Sequence, residues 1–308
     1  MILISGEALI DLIPDAAAEG RYDAVKGGSP YNVAIGLARL GGRVSFLSRL
    51  SADANGEDLS AALAAAGVDL SLAARDPRPS TLAFVMRGTA QTGSRYSFYL
   101  DATSFDGEWP FPAVWPAGAR HLHVGSISAL DARHGERVVA ALERARSVAS
   151  TSFDPNVRPL VTPDRAAVAA LAERQARLVR FVKASEEDLA WLYPGRSVEE
   201  SLRAWADMGP AFCIATLGPA GALAYVGGER LEVAPRRVEV VDTVGAGDSF
   251  MSSLLFAMDR DGALGAGAPK PTRQQLGAWA DFAARASALT CARKGSDPPT
   301  LAEVEATY

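Results

Sequence analysis

The stretch Val241-Asp242-Thr243-Val244-Gly245-Ala246-Gly247-Asp248-Ser249-Phe250 joins two unlike patterns. Residues 238–241 read as a short strand, and apolar residues at helical spacing follow through Leu255 and Met258. Between them Gly245, Ala246 and Gly247 leave the backbone uncovered, so several amide N–H groups can converge on one anion at the positive end of the helix. A carboxylate at Asp248, beside those amides, is suited to take a proton from a hydroxyl attacking a bound phosphate. The same residues also fit a tight turn with Asp248 as a helix cap. The stretch is not a dinucleotide Gly-x-Gly-x-x-Gly, because the third glycine is absent. No Gly-Lys-Ser/Thr follows to make a Walker loop.

Strand, turn and helix recur in that order along the chain. Strand-like runs at 2–5, 44–50, 121–124, 151–153, 178–182 and 213–216 alternate with helical patterns at 31–40, 57–66, 135–148 and 164–177. This alternation predicts a mostly parallel sheet covered by helices. Two regions break it. Runs at 82–87 and 96–100 have no helix between them and read as an antiparallel hairpin. With 8–14 and 22–25 they predict a small sheet standing off the main domain as a lid. The second exception, 262–271, is a loop rich in Gly, Ala and Pro.

Composition excludes several classes. The 308 residues carry a formal charge of −5, with no basic footprint for nucleic acid. No apolar run reaches the roughly 18 residues that cross a membrane. Glu7 and Asp11 sit near the start without a basic n-region, so no secretory leader is expected and the chain is read as cytoplasmic. Cys213 and Cys291 lie far apart in apolar runs and read as buried free thiols. His121 and His123 alternate on a strand, and with His134 they find no third type of ligand nearby, so they are not read as a metal site.

A second Gly-rich segment, Gly27-Gly28-Ser29-Pro30-Tyr31-Asn32-Val33-Ala34, leads into a helix near the amino terminus. Its glycines allow close backbone approach, and Asn32 offers a donor and an acceptor to a sugar hydroxyl. Taken alone it also fits a Gly-rich connection with Asn32 near a helix start.

With both segments in order, the chain resembles the ribokinase-like (PfkB) carbohydrate kinase family over essentially its whole length. Four further segments match that family: Gly6-Glu7-Ala8-Leu9-Ile10-Asp11, Phe153-Asp154-Pro155-Asn156-Val157-Arg158, Lys183-Ala184-Ser185-Glu186-Glu187-Asp188 and Thr216-Leu217-Gly218-Pro219-Ala220-Gly221. The resemblance implies an α/β three-layer sandwich over 1–308, with a mostly parallel central sheet and a β-sheet lid at about 8–26 and 80–102. It implies phosphoryl transfer from ATP to a sugar, with Asp248 as base and the backbone of Gly245, Ala246 and Gly247 stabilising the transferred group. Asp11, Gly27, Gly28, Asn32, Phe98 and Arg158 would hold the sugar. Lys183, Glu186, Thr216, Gly218 and Gly221 would line the ATP site, with Glu186 orienting Mg²⁺ through water and Asp242 beside a K⁺. Pairing of two lids would make a homodimer.

Departures from the family pattern are specific. Lys183 replaces a frequent Asn, which weakens the expected magnesium network. Ser51, Ser253 and Ala284 replace other residues, and Ala284 leaves an adenine contact open. Within the family, the combined segments look most like bacterial fructokinases, implying transfer to the 6-hydroxyl of D-fructose. A 2-keto-3-deoxygluconate kinase or a ribokinase is the alternative. Leu100, following Phe98-Tyr99, cannot pair with a carboxylate and favours the neutral sugar. From other classes, a catalytically silent binder would not need Asp248, and an NAD-dependent oxidoreductase would need the missing fingerprint.

Overall fold

The computed structural model describes residues 1–15, 18–86 and 95–307, and only the backbone of residues 86, 95 and 96. In chain order its strands are β1 (Ile2–Ser5), β2 (Leu9–Pro14), β3 (Tyr22–Gly27), β4 (Val44–Leu47), β5 (Arg49–Ser51), β6 (Ala74–Asp76), β7 (Leu82–Met86), β8 (Arg95–Tyr99), β9 (His121–Gly125), β10 (Ser150–Asp154), β11 (Phe181–Ser185), β12 (Phe212–Thr216), β13 (Ala222–Val226) and β14 (Glu229–Val233).

The main sheet has the order β14-β13-β12-β11-β10-β9-β1-β4. From β4 to β12 neighbouring strands are parallel; β13 and β14 add an antiparallel edge. Parallel strands buried on both faces must be apolar on both, because successive side chains point to opposite sides. In β12, Phe212 and Ile214 enter one core while Cys213 and Ala215 enter the other. The first core packs under the helices Ser29–Arg39, Ala246–Arg260 and Arg273–Cys291; the second packs under Gly135–Ala145, Arg165–Ala176 and Val198–Ala206. This is the three-layer sandwich expected from the alternation.

A separate sheet has the order β3-β2-β7-β8, and β7 and β8 pair antiparallel as the hairpin reading required. Residues 16–17 and 87–94 of the expected lid segments lie outside the described residues. The imidazoles of His121 and His123 are buried among hydroxyls, with ring nitrogens 2.7 to 2.9 Å from the Ser150 and Ser152 Oγ atoms. Burial pulls both pKa values below the ordinary histidine range. Cys213 is buried as expected, whereas Cys291 is half-buried, and both are free thiols.

Three element readings need correction. The run 44–50 is two strands, broken at Ser48, whose hydroxyl donates to the Gly6 carbonyl at 2.6 Å; the second half pairs with β6. The strand placed at 178–182 begins only at Phe181, because Leu178 and Val179 still donate to Gln175 and close the preceding helix. Residues 238–241 form no strand. The amides of Val241 and Asp242 both donate to the Cys291 carbonyl, at a helix end, and Val240 and Val241 are exposed. The β13–β14 hairpin was not foreseen, although Gly227-Gly228 between two strand-like runs is a turn signal.

Candidate active site

The carboxyl ends of β10, β11 and β12 lie along one edge of the main sheet, where open α/β sheets place ligands. The helix Ala246–Arg260 starts there. Its N-cap, Gly245, has φ 77°, and a Cβ at that position would stand 2.1 Å from the Ser296 Oγ, so only glycine fits. The Asp242 carboxylate accepts from the amides of Val244 at 3.1 Å and Gly295 at 2.9 Å, fastening the turn to the following loop. The Ala246 amide donates to Thr243 O, while those of Gly245, Gly247 and Asp248 have no acceptor among the described residues. Three unpaired donors at a helix start form an anion cradle.

Asp248 does not cap this helix. Its Oδ1 accepts from the Ser29 Oγ at 2.6 Å and its Oδ2 from the Asn32 Nδ2 at 2.8 Å. Both donors belong to the first turn of the helix Ser29–Arg39, which begins after Gly28 at φ 104°. A Cβ on Gly28 would stand 2.6 Å from the Glu7 carbonyl, so glycine lets the helix start against the link between β1 and β2. The two Gly-rich segments of the sequence therefore meet at one carboxylate. Burial raises the Asp248 pKa, opposed by the Ser29 and Asn32 hydrogen bonds and by the charges of Lys183 and Arg158.

Beneath the cradle lies an ion pair. Lys183 Nζ on β11 donates to Asp154 Oδ2 on β10 at 2.8 Å, with both side chains almost fully buried. The ammonium stands 3.1 Å from where a Gly247 Cβ would be, so it reaches the turn from below. Burial raises Asp154 to about 6 with the Lys183 charge opposing, and the neighbouring carboxylates raise Lys183 against its own burial. Asp154 Oδ1 has no hydrogen-bond partner among the described residues.

The segment after Asp154 is held by a third carboxylate. Asp188 accepts from the amides of Val157 at 2.7 Å and Ser185 at 2.9 Å, and Ser185 caps the helix Glu186–Leu192 in return. This fixes Arg158, whose Nη1 donates to the carbonyls of Asn156 and Val157. The Arg158 charge lowers the pKa of both Asp11 and Asp248, placing the guanidinium in the field of both.

Asp11 comes from the smaller sheet. It pairs with Ala83, which pairs with Phe98, so all three project from the same face. Gly27 gives the carboxylate its room, since a Cβ there would stand 2.3 Å from Asp11 Oδ2. Burial lifts Asp11 to about 6 despite Arg158. Leu100 is buried with Leu9, Phe105 and Trp109.

The expected nucleotide residues divide. Glu186 Oε1 lies 4.0 Å from a Cβ built on Gly218, with nothing else nearby, so this side chain and the turn after Thr216 share an open space. Gly221 answers to packing, because a Cβ there would meet the Val233 carbonyl at 2.1 Å. Lys183 turns to Asp154. Ala284 packs against the first core, and Ser51 donates to the Arg78 carbonyl. Ser29 and the Asp154 carboxylate were not singled out as site residues. The dipeptide Gly28-Ser29 before a helix was a readable signal for the first; for the second, only the neighbouring strand's Lys183 reveals it.

The family model described as pfkB family carbohydrate kinase matches residues 1–302. A fructokinase of Rhizobium leguminosarum bv. trifolii is 36% identical over 86% of this chain and 81% of its own length. One of Salmonella typhimurium is 32% identical over 85% of each. Among solved structures, the fructokinase of Vibrio cholerae O395 in a fructose-, ADP- and calcium-bound form matches with a TM-score of 0.86 at 28% identity, covering 99% of this chain and 97% of that one. The Xylella fastidiosa fructokinase with bound ATP gives 0.87 at 27%, with the same coverages. The anion cradle, its carboxylate and these likenesses agree, and the chain belongs to the pfkB family of carbohydrate kinases.

Proposed function

We propose that this chain transfers the terminal phosphoryl group of ATP to the 6-hydroxyl of D-fructose, giving fructose 6-phosphate and ADP. The observation that carries this reading is the meeting of Ser29 and Asn32 with Asp248 beside three unpaired backbone donors. Asp248 takes the proton of the attacking hydroxyl, and the amides of Gly245, Gly247 and Asp248 receive the charge of the transferred group. Asp11 accepts from sugar hydroxyls, Phe98 lies against the ring, and Arg158 faces the anionic side. The smaller sheet serves as the lid of a single kinase domain, excluding water so that ATP is not hydrolysed.

Among the described residues no three His, Cys, Asp or Glu side chains gather to hold a metal. That fits Mg²⁺, which is usually held by one or two carboxylates with waters and substrate phosphates. Glu186 is the residue for it, and the ion would neutralise phosphate charge. A K⁺ would share Asp242 with the amides of Val244 and Gly295; a related fructokinase variant was solved with fructose, ADP and potassium bound. We read the protein as a cytoplasmic enzyme that dimerises through its lids. No described helix is long and apolar enough to cross a membrane.

Rates on fructose, ribose, adenosine and 2-keto-3-deoxygluconate, with the product's phosphorylated carbon located by NMR, test the assignment. Fructose should give the highest kcat/KM, with phosphate on C6. Preference for the keto-acid would overturn it; the residue after Phe98-Tyr99 is the buried, apolar Leu100, which supplies no cation for a carboxylate.

A further inference from the structure

The opposite edge of the main sheet carries a second concentration of charge. A cavity of about 230 Å³ opens at the amino ends of β10, β11 and β12, between Ser150, the residue before β11 and the loop 265–270. Its charged lining is Arg146, Arg177, Arg180 and Lys270, with no carboxylate among the lining residues. In a chain of net charge −5 this is a local reversal of sign. Arg146 and Lys270 have no ion-pair partner among the described residues, and Arg177 reaches only Glu173, at 3.7 Å.

Arg180 is the telling member. It is half-buried, its Nη2 donates to the Pro269 carbonyl, and its buried Nε has no hydrogen-bond partner among the described residues. No carboxylate offsets the burial that lowers its pKa. A guanidinium is costly to desolvate without a counter-charge. The wall is otherwise built: the Gly265 amide donates to the Ser150 Oγ at 2.9 Å, holding the loop that carries Lys270 against β10.

We propose that this cavity binds a small phosphate dianion, free or as the headgroup of a phosphomonoester, through Arg180, Arg146, Arg177 and Lys270. Arg supplies planar, paired donors to phosphate, and Lys a point charge. The site is distinct from the anion cradle, which lies at the other end of the same strands. β10 runs from Ser150 at the cavity to Asp154 at the cradle, and β11 carries Lys183 just beyond Arg180.

The test is titration of the intact protein with inorganic phosphate, and separately with glycerol 3-phosphate, followed by calorimetry. Fructose and a non-hydrolysable ATP analogue are kept saturating so that the cradle is filled. One phosphate per chain should bind, and affinity should fall as salt rises. The paired substitution Arg146→Glu and Lys270→Glu, both exposed and far from Asp248, should weaken binding at least tenfold while fructose turnover without phosphate is unchanged. Arg180→Lys, which keeps the charge but loses the fork, should weaken it less. Binding of both probes assigns the free anion, and binding of the ester alone assigns an esterified ligand. No binding of either probe, or equal binding by the folded double variant, overturns the site. If the ternary complex does not form, the titration is repeated without nucleotide and sugar on the parent and on the Arg146→Glu, Lys270→Glu variant, and only the binding lost in that variant is assigned to this cavity, which separates failure of the kinase reading from failure of this one.

Discussion

Asp248 and Asp154 are acids in adjacent layers, one at the cradle and one just below it, yet they are held in opposite ways. Asp248 is gripped by a hydroxyl and an amide, both neutral, whereas Asp154 is gripped by an ammonium at 2.8 Å. Neutral donors orient a carboxylate without fixing its charge, so its proton can come and go. A buried ion pair fixes charge, because neither member can change state without stranding the other. The difference assigns proton transfer to the upper acid and scaffolding to the lower pair, whose ammonium also supports the turn at Gly247.

The largest effect should come from making Asp248 unable to take a proton. Asp248→Asn retains the size and one acceptor of the side chain, and kcat for fructose should fall roughly 10³-fold, about 4 kcal/mol of barrier. Nucleotide binding and the melting temperature should change little. An Asn variant retaining more than a tenth of parental kcat would end the assignment of the base.

Lys183→Met should act on the other side of the comparison. It leaves Asp154 buried without its counter-charge, and unfolding by denaturant should show a loss of about 3 to 5 kcal/mol. Adding Asp154→Leu should recover most of that stability, because an apolar pair of similar volume suits the site, while turnover stays low for want of the ammonium beneath Gly247. Full activity in the stabilised double variant would reduce the pair to packing.

This division of labour was only half legible in the sequence. The alternation of short apolar runs and helical patterns was enough for the sheet, because strands buried on both faces must be apolar throughout. The two Gly-rich segments were legible because crowding by the Glu7 backbone at Gly28 and by Ser296 at Gly245, each at a positive φ, calls for glycine. Residues 238–241 misled for the converse reason: their valines look like a buried strand but stand exposed beside a helix end. Nothing local marks Asp154 as the partner of Lys183, since the pair exists only through the register of β10 and β11. Asp248 as a cap was equally good locally, and only the position of Ser29 and Asn32, more than 200 residues away, decides against it.

Asp11 sharpens the contrast from the lid. It is an acid raised from an ordinary 3.8 to about 6 by burial, with Arg158 opposing. The folded chain therefore holds this proton more tightly than the unfolded one, so the group's stabilising contribution is present below about pH 4 and lost as pH rises through about 6. In Asp11→Asn that loss should vanish, so the variant's stability relative to the parent should rise between pH 4 and 6. As pH rises through about 6 the parent's KM for fructose should fall as the carboxylate ionises, and the variant's KM should stay flat and about tenfold higher at neutral pH, the worth of a hydrogen bond to a charged group. A KM that keeps its pH dependence in the variant would move the sugar contact elsewhere.

The smallest effect probes the neutral grip itself. Ser29→Ala removes one donor from Asp248 and leaves Asn32 in place. Losing one such bond costs about 1 kcal/mol, so kcat at neutral pH should drop roughly fivefold. The Ser29 bond also lowers the Asp248 pKa against burial, so without it the acid limb of the kcat profile should move to higher pH. Ser29→Thr keeps the hydroxyl and should restore the limb's position. The shift of the limb separates a held base from a merely packed one, because removing a hydroxyl that only filled space would lower activity without moving the pH at which the base loses its proton.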